Sequence, residues 1–99
     1  MTAEVKQDEK VVVVLQPPKM WKVILLNDDK TPTELVILLL TKVFKHDEKR
    51  ATEITMEIHN TGSGVAGVYS YEISEQRGIE ATDIARANGS PLKVQVEQE

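Results

Sequence analysis

A strand passes into a helix across a short acidic turn, and this junction constrains the fold more than any other part of the sequence. Residues 20–26 are nearly all apolar, which predicts a strand that is central in its sheet or covered on both faces. The apolar run ends in Asn27-Asp28-Asp29, and the residue types of a helix start follow almost at once in Thr31-Pro32-Thr33-Glu34. The sequence therefore predicts three polar side chains, two of them acidic, at the rim between a strand and a helix.

The first helix is predicted to begin at this turn and to be largely buried. Thr31 is expected as its N-cap, Pro32 as its first helical residue, and Glu34 as the partner that closes a capping box. The helix should run to about Lys45. Its apolar positions form a stripe that two further leucines widen, so we expect burial on more than one side. The stripe consists of Leu35, Val36, Leu39, Val43 and Phe44, and the widening residues are Leu38 and Leu40.

The rest of the chain predicts two more helices and two more strands. Asp47 is a suitable N-cap for a helix over about 48–59, and the polar, glycine-containing residues 60–64 favour a loop. The periodicity predicts a strand over 65–69, a helix over about 71–86 and a half-buried strand that includes Leu92, Val94 and Val96. The order β-α-α-β-α-β predicts an α+β sandwich, in which a small antiparallel sheet of about three strands is covered on one face by three helices.

Length and terminal composition indicate one folded domain behind a flexible extension. The chain has 99 residues, which is the size of a single domain. Residues 1–10 are polar and of mixed charge, as in a disordered tail. Residues 11–15 are β-prone and precede Pro17-Pro18, and we interpret them as a flexible arm that docks on a partner. We therefore divide the chain into an N-terminal extension over residues 1–16 and a core domain over residues 17–99.

Charge, cysteine content and hydropathy argue against several classes of function. The formal net charge of -4 argues against a nucleic-acid-binding surface, which needs clustered Lys and Arg. The sequence contains no Cys, so disulfides and thiolate metal sites are excluded, as suits a cytosolic protein. The first residues lack the features of a signal peptide, and the longest apolar run, residues 35–40, is far too short to span a membrane. We expect a soluble protein that stays inside the cell.

The polar residues of the acidic turn fit either plain turn chemistry or a ligand site. Asn and Asp favour turns because they bond their own backbone, but the adjacent carboxylates of Asp28 and Asp29 repel each other, and a cationic ligand would relieve that repulsion. A metal site needs convergent ligands, and His59 is the only plausible partner in the sequence, so no metal is expected. His59 itself is interpreted either as a helix-terminal residue that interacts with the helix dipole or as a hydrogen-bonding imidazole at the mouth of an apolar groove.

No catalytic constellation is recognisable, and we expect a protein that is not an enzyme and needs no cofactor. The two His residues have no Ser in an elbow motif nearby, and the glycines of residues 62–67 lack the strand-to-helix context of a phosphate loop. His46 is interpreted as a solvated linker residue between two helices. Glu72, Glu75 and Arg77 fit either a solvated helix face or a partner surface.

Several motifs of this chain occur together in one known family. The most specific is the Asn-Asp-Asp-x-Thr-Pro run of residues 27–32 with a helix-terminal histidine, His59, downstream. The other pieces are Pro17-Pro18-x-Met20, Lys22-Val-Ile-Leu, Glu34, Arg50-Ala51-Thr52, Gly67-Val68-Tyr69-x-x-Glu72 and Pro91-Leu92. With these motifs the sequence resembles the ClpS family, adaptors that deliver N-degron substrates to the Clp protease. The resemblance extends from residue 17 to about residue 96.

This resemblance implies a site for the first residue of a substrate protein. In the family, the free α-amino group is held by residues that match Asn27, Asp28 and His59. A bulky hydrophobic first side chain, such as that of Leu, Phe, Tyr or Trp, enters an apolar pocket beside them. The positions that match this pocket are Asp29, Thr31, Thr33, Val36, Thr55, Ile58 and Leu92.

Two pocket positions depart from the usual pattern of the family, which typically has Met where this chain has Thr33 and Thr55. Met is a flexible filler that adapts to aromatic and aliphatic shapes, whereas Thr is shorter, β-branched and carries a hydroxyl. We therefore expect a pocket that is wider at two walls and slightly more polar, with an altered ranking of first residues.

The resemblance also implies protein partners. Glu72 and Arg77 match positions that contact the N-terminal domain of the Clp AAA+ unfoldase, and residues 1–16 match a variable extension that engages the motor during delivery. We expect a monomer in the bacterial cytoplasm that binds this unfoldase and N-degron peptides, without nucleic acid, membrane, cofactor or metal. Two alternatives remain: a regulator of the unfoldase with little degron specificity, and a small metal-dependent hydrolase that uses Asp28, Asp29 and His59.

Overall fold

The computed structural model describes residues 15–99. The predicted disordered tail and most of the predicted arm therefore lie outside the described residues. Six elements follow one another in the order β-α-α-β-α-β. Their bounds are β1 Trp21–Leu26, α1 Thr33–Lys42, α2 Glu48–Thr61, β2 Ser63–Tyr69, α3 Tyr71–Ala87 and β3 Lys93–Gln98. The strands form one antiparallel sheet in the order β2-β1-β3, which confirms the predicted α+β architecture.

The apolar run of residues 20–26 contains the central strand β1, which is one of the two arrangements that the sequence left open. Strand β1 pairs with β2 on one side and with β3 on the other. Val23 and Leu25 are completely buried in the core, while Lys22, Ile24 and Leu26 alternate with them and are half-buried. Pairing on both edges fixes the end of β1, and with it the start of the acidic turn.

Helix α1 buries the predicted apolar stripe but not both widening leucines. Leu39 of the predicted stripe and Leu40, one of the two widening leucines, are completely buried. Leu38 is 42% exposed, so the prediction for that side of the helix was wrong. A helix of 3.6 residues per turn rotates adjacent residues by about 100°, which carries Leu38 away from the core.

The two ends of α1 differ from the predicted ones. The N-cap is Pro32, and no side chain caps the helix, so the predicted Thr31 cap and capping box were wrong. The hydroxyl of Thr31 instead donates to Asp28, which removes it from capping. The helix ends at Lys42 rather than near Lys45, because the chain turns there and Lys45 adopts the left-handed conformation with φ 63°.

A single glycine replaces the loop predicted over residues 60–64. Helix α2 has the predicted Asp47 N-cap, whose carboxylate accepts from the backbone amide of Arg50, but it continues to Thr61. Gly62 then reverses the chain with φ 98°, and its amide donates to the carbonyl of Ile58. Glycine tolerates this left-handed conformation without steric cost. The tight reversal lets β2 begin at once beside the end of β1.

The sequence suggested that His46 is a solvated linker residue, and this prediction was wrong. It is half-buried, and its ring Nε2 forms a hydrogen bond with the carbonyl oxygen of Ala66 on β2. The imidazole therefore ties the α1–α2 connection to the sheet. No local signal distinguishes this role, because twenty residues separate the two partners along the chain.

Helix α3 packs closely against the sheet at Gly78. This residue is buried, and a Cβ placed on it would lie 3.4 Å from Val96 and 3.5 Å from Val94. These are ordinary van der Waals distances, so α3 and β3 are in close contact here, although the contact does not itself require glycine. Within residues 15–99, no helix has both the length and the apolar character that a membrane span requires.

Candidate functional site

One cavity lies where the end of β1, the start of α1 and the last turns of α2 meet. Its volume is about 360 Å³. It contains all of the residues expected to hold an amino group and nearly all of those expected to form the apolar pocket. The lining residues are Asn27, Asp28, Asp29, Thr31, Thr33, Val36, Thr55, Ile58 and His59. The fold thus brings together residues 27–36 and residues 55–59, which are separated in sequence by the end of α1 and the first half of α2.

Leu92 is the one expected pocket residue that does not line this cavity. It is 1% exposed and belongs to the hydrophobic core. Its backbone amide donates to the hydroxyl of Ser90, and its carbonyl accepts from the guanidinium of Arg86. In this structure Leu92 therefore supports the loop behind the site rather than forming the wall of the cavity.

Asp28 organises the acidic turn by accepting hydrogen bonds at both carboxylate oxygens. Its Oδ1 accepts from the backbone amides of Lys30 and Thr31, each at 2.7 Å, and its Oδ2 accepts from the Thr31 hydroxyl at 2.7 Å. A carboxylate offers about four lone-pair sites. One acceptor site is therefore left for a ligand. Asp28 can stabilise the turn and accept from a ligand at the same time.

A chain of donors from the α3–β3 loop ends at Asp28. Because Thr31 gives its only hydroxyl proton to Asp28, the contact of 2.6 Å between the Thr31 and Ser90 hydroxyl oxygens requires Ser90 to donate. Ser90 in turn accepts from the amide of Leu92 at 3.1 Å. Aligned donors of this kind polarise one another and reinforce the bond to a carboxylate. Residues of the β1–α1 turn and of the α3–β3 loop thereby fix the position of the Asp28 carboxylate.

Ser90 was not predicted from the sequence as a site residue. In the structure it is 3% exposed and occupies the centre of this hydrogen-bonded chain. It lies 59 positions from Thr31, and a serine followed by proline is typical of an ordinary turn. Arg86 was also missed. Its guanidinium donates to the carbonyls of Ser90 and Leu92 at 2.8 and 2.9 Å, and so holds the loop that carries Ser90.

The environment keeps Asp28 ionised. Burial alone raises the pKa of a carboxyl group, but three other influences outweigh it here. The Thr31 hydroxyl, the backbone amides of Lys30 and Thr31, and the positive charge of Arg86 lower the pKa of Asp28 below its ordinary value of 3.8. The site therefore holds a fixed negative charge at neutral pH.

Replacement of Thr31 by Val tests this account of Asp28. The lowered pKa means that the carboxylate stabilises the fold fully above pH 3.8 and that this contribution is lost as the pH falls through the lower folded value. Thr31→Val removes one donor, so we expect the pKa of Asp28 to rise toward 3.8 and the loss in acid to begin at higher pH. An NMR titration of the Asp28 carboxyl carbon measures the shift. Thr52→Val, which removes a hydroxyl bonded only within α2, should leave it unchanged.

The apolar side of the cavity is formed by buried residues of two helices. Val36 and Ile58 are both buried and present hydrocarbon to the space between α1 and α2. Thr55 is 5% exposed, and its hydroxyl donates to the carbonyl of Ala51 at 2.7 Å. Its single proton is thus used within α2, so Thr55 adds no free donor to the pocket. The expected increase in polarity at this position is therefore smaller than the sequence suggested.

Asn27 and His59 stand exposed at the mouth of the cavity. The backbone amide of Asn27 donates to the carbonyl of Gly62 at 2.9 Å, which fixes its position beside the end of α2. Within residues 15–99, no protein hydrogen bond engages the Asn27 amide side chain or the His59 ring. Both groups are therefore available to a ligand that also reaches Asp28.

This geometry agrees with the comparisons with known proteins. A family model described as ATP-dependent Clp protease adaptor protein ClpS matches residues 16–95. The ClpS adapter protein of Bdellovibrio bacteriovorus is 47% identical over 90 residues, which are 91% of this chain and 79% of that protein. That of Sodalis glossinidius is 41% identical over 91 residues, which are 92% of this chain and 86% of that protein. The chain belongs to the ClpS family.

A solved ClpS structure shares the fold. The structure of Agrobacterium tumefaciens ClpS2 bound to L-phenylalaninamide has a TM-score of 0.80 and 41% sequence identity, and the match covers 84% of this chain and 100% of that chain. L-Phenylalaninamide combines a free α-amino group with an aromatic side chain. The three helices and three-stranded antiparallel sheet described above are thus those of a ClpS adaptor of the Clp protease.

The residues expected to contact the unfoldase lie on α3, apart from the cavity. Glu72 is exposed in the first turn of the helix. Arg77 is half-buried, and its guanidinium lies 3.6 Å from the carboxylate of Glu80. Neither residue lines the cavity that contains Asn27, Asp28 and His59. The α3 surface with Glu72 and Arg77 is therefore separate from the cavity at the β1–α1 turn.

Two further observations on this ClpS protein concern a separate groove and the possibility of a metal site. A groove of about 270 Å³ between α3 and β3 has Ile79, Val94 and Val96 as its large apolar lining residues and Glu75 and Asp83 among its polar ones. It contains none of Asn27, Asp28 and His59. Within residues 15–99, no cluster of three or more His, Asp or Glu residues has the arrangement of a metal site. Asp28, Asp29 and His59 line one cavity without forming such a cluster.

Proposed function

We propose that this protein is an adaptor that recognises substrates by a free α-amino group and a bulky hydrophobic first residue. It delivers them to a Clp AAA+ unfoldase in the bacterial cytoplasm for degradation. The observation that carries this proposal is the single cavity that joins the ionised Asp28, two free polar groups and a hydrocarbon wall. Membership of the ClpS family and the likeness to a phenylalaninamide-bound relative support it.

The polar end of the cavity suits an ammonium group. An ammonium has three donors, and Asn27, Asp28 and His59 each offer an acceptor. A free α-amino group is largely protonated near neutral pH, since its reference pKa is about 7.7–8.0. Asp28 therefore contributes charge as well as a hydrogen bond, and charge-assisted hydrogen bonds are about twice as strong as neutral ones. A lysine ammonium inside a chain is rejected because its own backbone would not fit beside the pocket.

The apolar wall suits the first side chain. Burial of a Leu or Phe side chain against Val36 and Ile58 contributes roughly 1.5–3 kcal/mol. The amine and side-chain contacts are both required, so the site selects the start of a chain and its first residue together. We propose Leu, Phe, Tyr and Trp as first residues, with a ranking altered by Thr33 and Thr55. Since the Thr55 hydroxyl is already bonded within its helix, the altered ranking rests mainly on the extra room at the two positions.

A panel of fluorescent peptides that differ only in the first residue tests the function. We expect binding of peptides that begin with Leu, Phe, Tyr or Trp, and no binding of the same peptides after N-terminal acetylation, which removes the positive charge. Thr33→Met should change the ranking, because a longer side chain at the start of α1 narrows the pocket. A ranking that Thr33→Met leaves unchanged rejects the role of Thr33, and binding of the acetylated peptides rejects amine recognition.

A second candidate function is regulation of the unfoldase with little degron specificity. The observation that favours it is the loss of the two usual Met side chains at Thr33 and Thr55, which weakens packing around a first residue. The same panel separates the candidates, since a regulator of this kind binds no bulky first residue while it still binds the unfoldase.

Charge reversal at Glu72 tests the proposed contact with the unfoldase N-terminal domain. We expect Glu72→Lys to weaken binding to that domain and to leave the affinity for N-terminal Phe peptides unchanged, because Glu72 lies on α3 outside the peptide cavity. Calorimetric titrations with the isolated domain and with a Phe peptide measure the two effects. Equal losses in both titrations indicate misfolding and contradict a separate contact surface.

A further inference from the structure

A second cavity adjoins the first and shares two of its lining residues. It measures about 480 Å³. Asn27 and Asp28 line both cavities, so they form the boundary between them. The remaining lining residues come from the end of β1, the α2–β2 turn and the start of β3. They are Leu26, Gly62, Pro91 and Lys93.

Lys93 gives the second cavity a positive charge. It is exposed at the first position of β3, opposite Leu26 in the sheet. Asp28 is the only other charged residue in the lining. In the part of the chain that the structure describes, ion pairs join Arg50 to Glu53 and Arg77 to Glu80. The ammonium of Lys93 therefore has no carboxylate partner among residues 15–99.

The covalent geometry of a peptide determines what can reach this second cavity. The amino group, the side chain and the carbonyl carbon leave the first α-carbon in diverging directions. When Asn27 and Asp28 hold the amino group and the first cavity holds the side chain, the carbonyl leads away from both. The second cavity borders the same two residues, so it lies within reach of the next residue of the chain.

The charges of the second cavity select among second residues. Asp28 is already engaged by its own turn, and the bound ammonium balances its charge. Lys93 is then the charged group left to meet the second side chain. An acidic side chain gains an attractive contact with it, and a basic one is repelled.

We propose that the second cavity receives the second residue of the substrate and that Lys93 favours an acidic residue there. This inference rests on the proposed function, because it assumes an amino group bound at Asn27 and Asp28. It adds a selection at the second position to the selection of a bulky first residue.

Matched peptides that begin Phe-Glu and Phe-Gln test the proposal with the full chain. These second residues have nearly the same shape and differ in charge. The ratio of the Kd for Phe-Gln to the Kd for Phe-Glu should fall by roughly two- to fivefold in Lys93→Gln, as expected for an exposed ion pair. Added salt should reduce this difference, and Lys93→Glu should reduce the ratio further. L-Phenylalaninamide, which has no second residue, should bind the original protein and Lys93→Gln equally well.

The controls distinguish a failure of the proposal for Lys93 from a failure of the proposed function. Lys49→Gln removes an equal charge at an exposed position of α2 that lines neither cavity, and it should leave the ratio unchanged. An unchanged ratio in Lys93→Gln, or an equal fall in Lys49→Gln, overturns the role of Lys93 while phenylalaninamide binding upholds the proposed function. Absence of phenylalaninamide binding to the original protein overturns both.

Discussion

On the proposed function, we expect replacement of Asp28 by Asn to lower the affinity for a peptide with a free N-terminal Phe by about 10- to 140-fold. This range corresponds to the loss of about 1.5–3 kcal/mol for a hydrogen bond to a charged group. Asn keeps a carbonyl oxygen that can accept from the amides of Lys30 and Thr31, which Asp28 now binds. It removes the negative charge that faces the ammonium. Fluorescence anisotropy with a labelled Phe peptide measures the change.

Asp29 provides a matched control for this substitution. It carries the same charge one position later and lines the same cavity, but we assign it to the entrance of the pocket rather than to the amino group. Asp29→Asn should therefore reduce affinity much less than Asp28→Asn. Equal losses in the two variants would point to a general charge effect and contradict the specific role of Asp28. Thermal melting of both variants shows whether the turn has kept its fold.

We expect replacement of Leu39 by Ala to lower the free energy of unfolding by about 2–5 kcal/mol, because it leaves a cavity in the core. Leu39 is completely buried and belongs to α1, the helix that carries Thr33 and Val36 of the candidate site. Small domains have a total stability of about 5–15 kcal/mol, so the loss is a large part of the whole. Urea denaturation measures it, and Tm should fall by roughly 10–40 °C.

The neighbouring residue makes an unusually close control. Leu38→Ala is the same chemical change in the same helix, at a position that is 42% exposed. Leu and Ala have similar helix propensities, so this variant should stay within about 1 kcal/mol of the original stability. Similar losses at both positions would contradict the orientation of α1 described above.

The core of the candidate site was predictable because its chemistry is local in sequence. Asn27 and Asp28 follow directly after the apolar run of β1, and Thr31 and Thr33 come within six positions of Asn27. Ile58 and His59 were placed at the end of a helix by periodicity. That these two segments face each other came from the resemblance to a family, since no periodicity specifies which helix end meets which turn.

The hydrogen-bonding partners across the fold were not predictable. Thr31 has the residue type of an N-cap, yet its hydroxyl connects Asp28 to Ser90, because the α3–β3 loop lies beside the turn. His46 has charged neighbours in sequence, yet its ring bonds to the carbonyl of Ala66. Local propensities describe what a side chain can do, and tertiary contacts determine which of those options is used.

By itself the sequence determined the order of the elements, the apolar character of β1 and the acidic turn at its end. These follow from alternation, helical periodicity and turn chemistry, which act over a few residues. Only the tertiary structure decided that Ser90 and Arg86 support Asp28, that Leu92 lies behind the cavity, and that Lys93 lines a second cavity together with Asn27 and Asp28. These arrangements depend on contacts between distant segments, and the packing of helices on the sheet determines which distant segments meet.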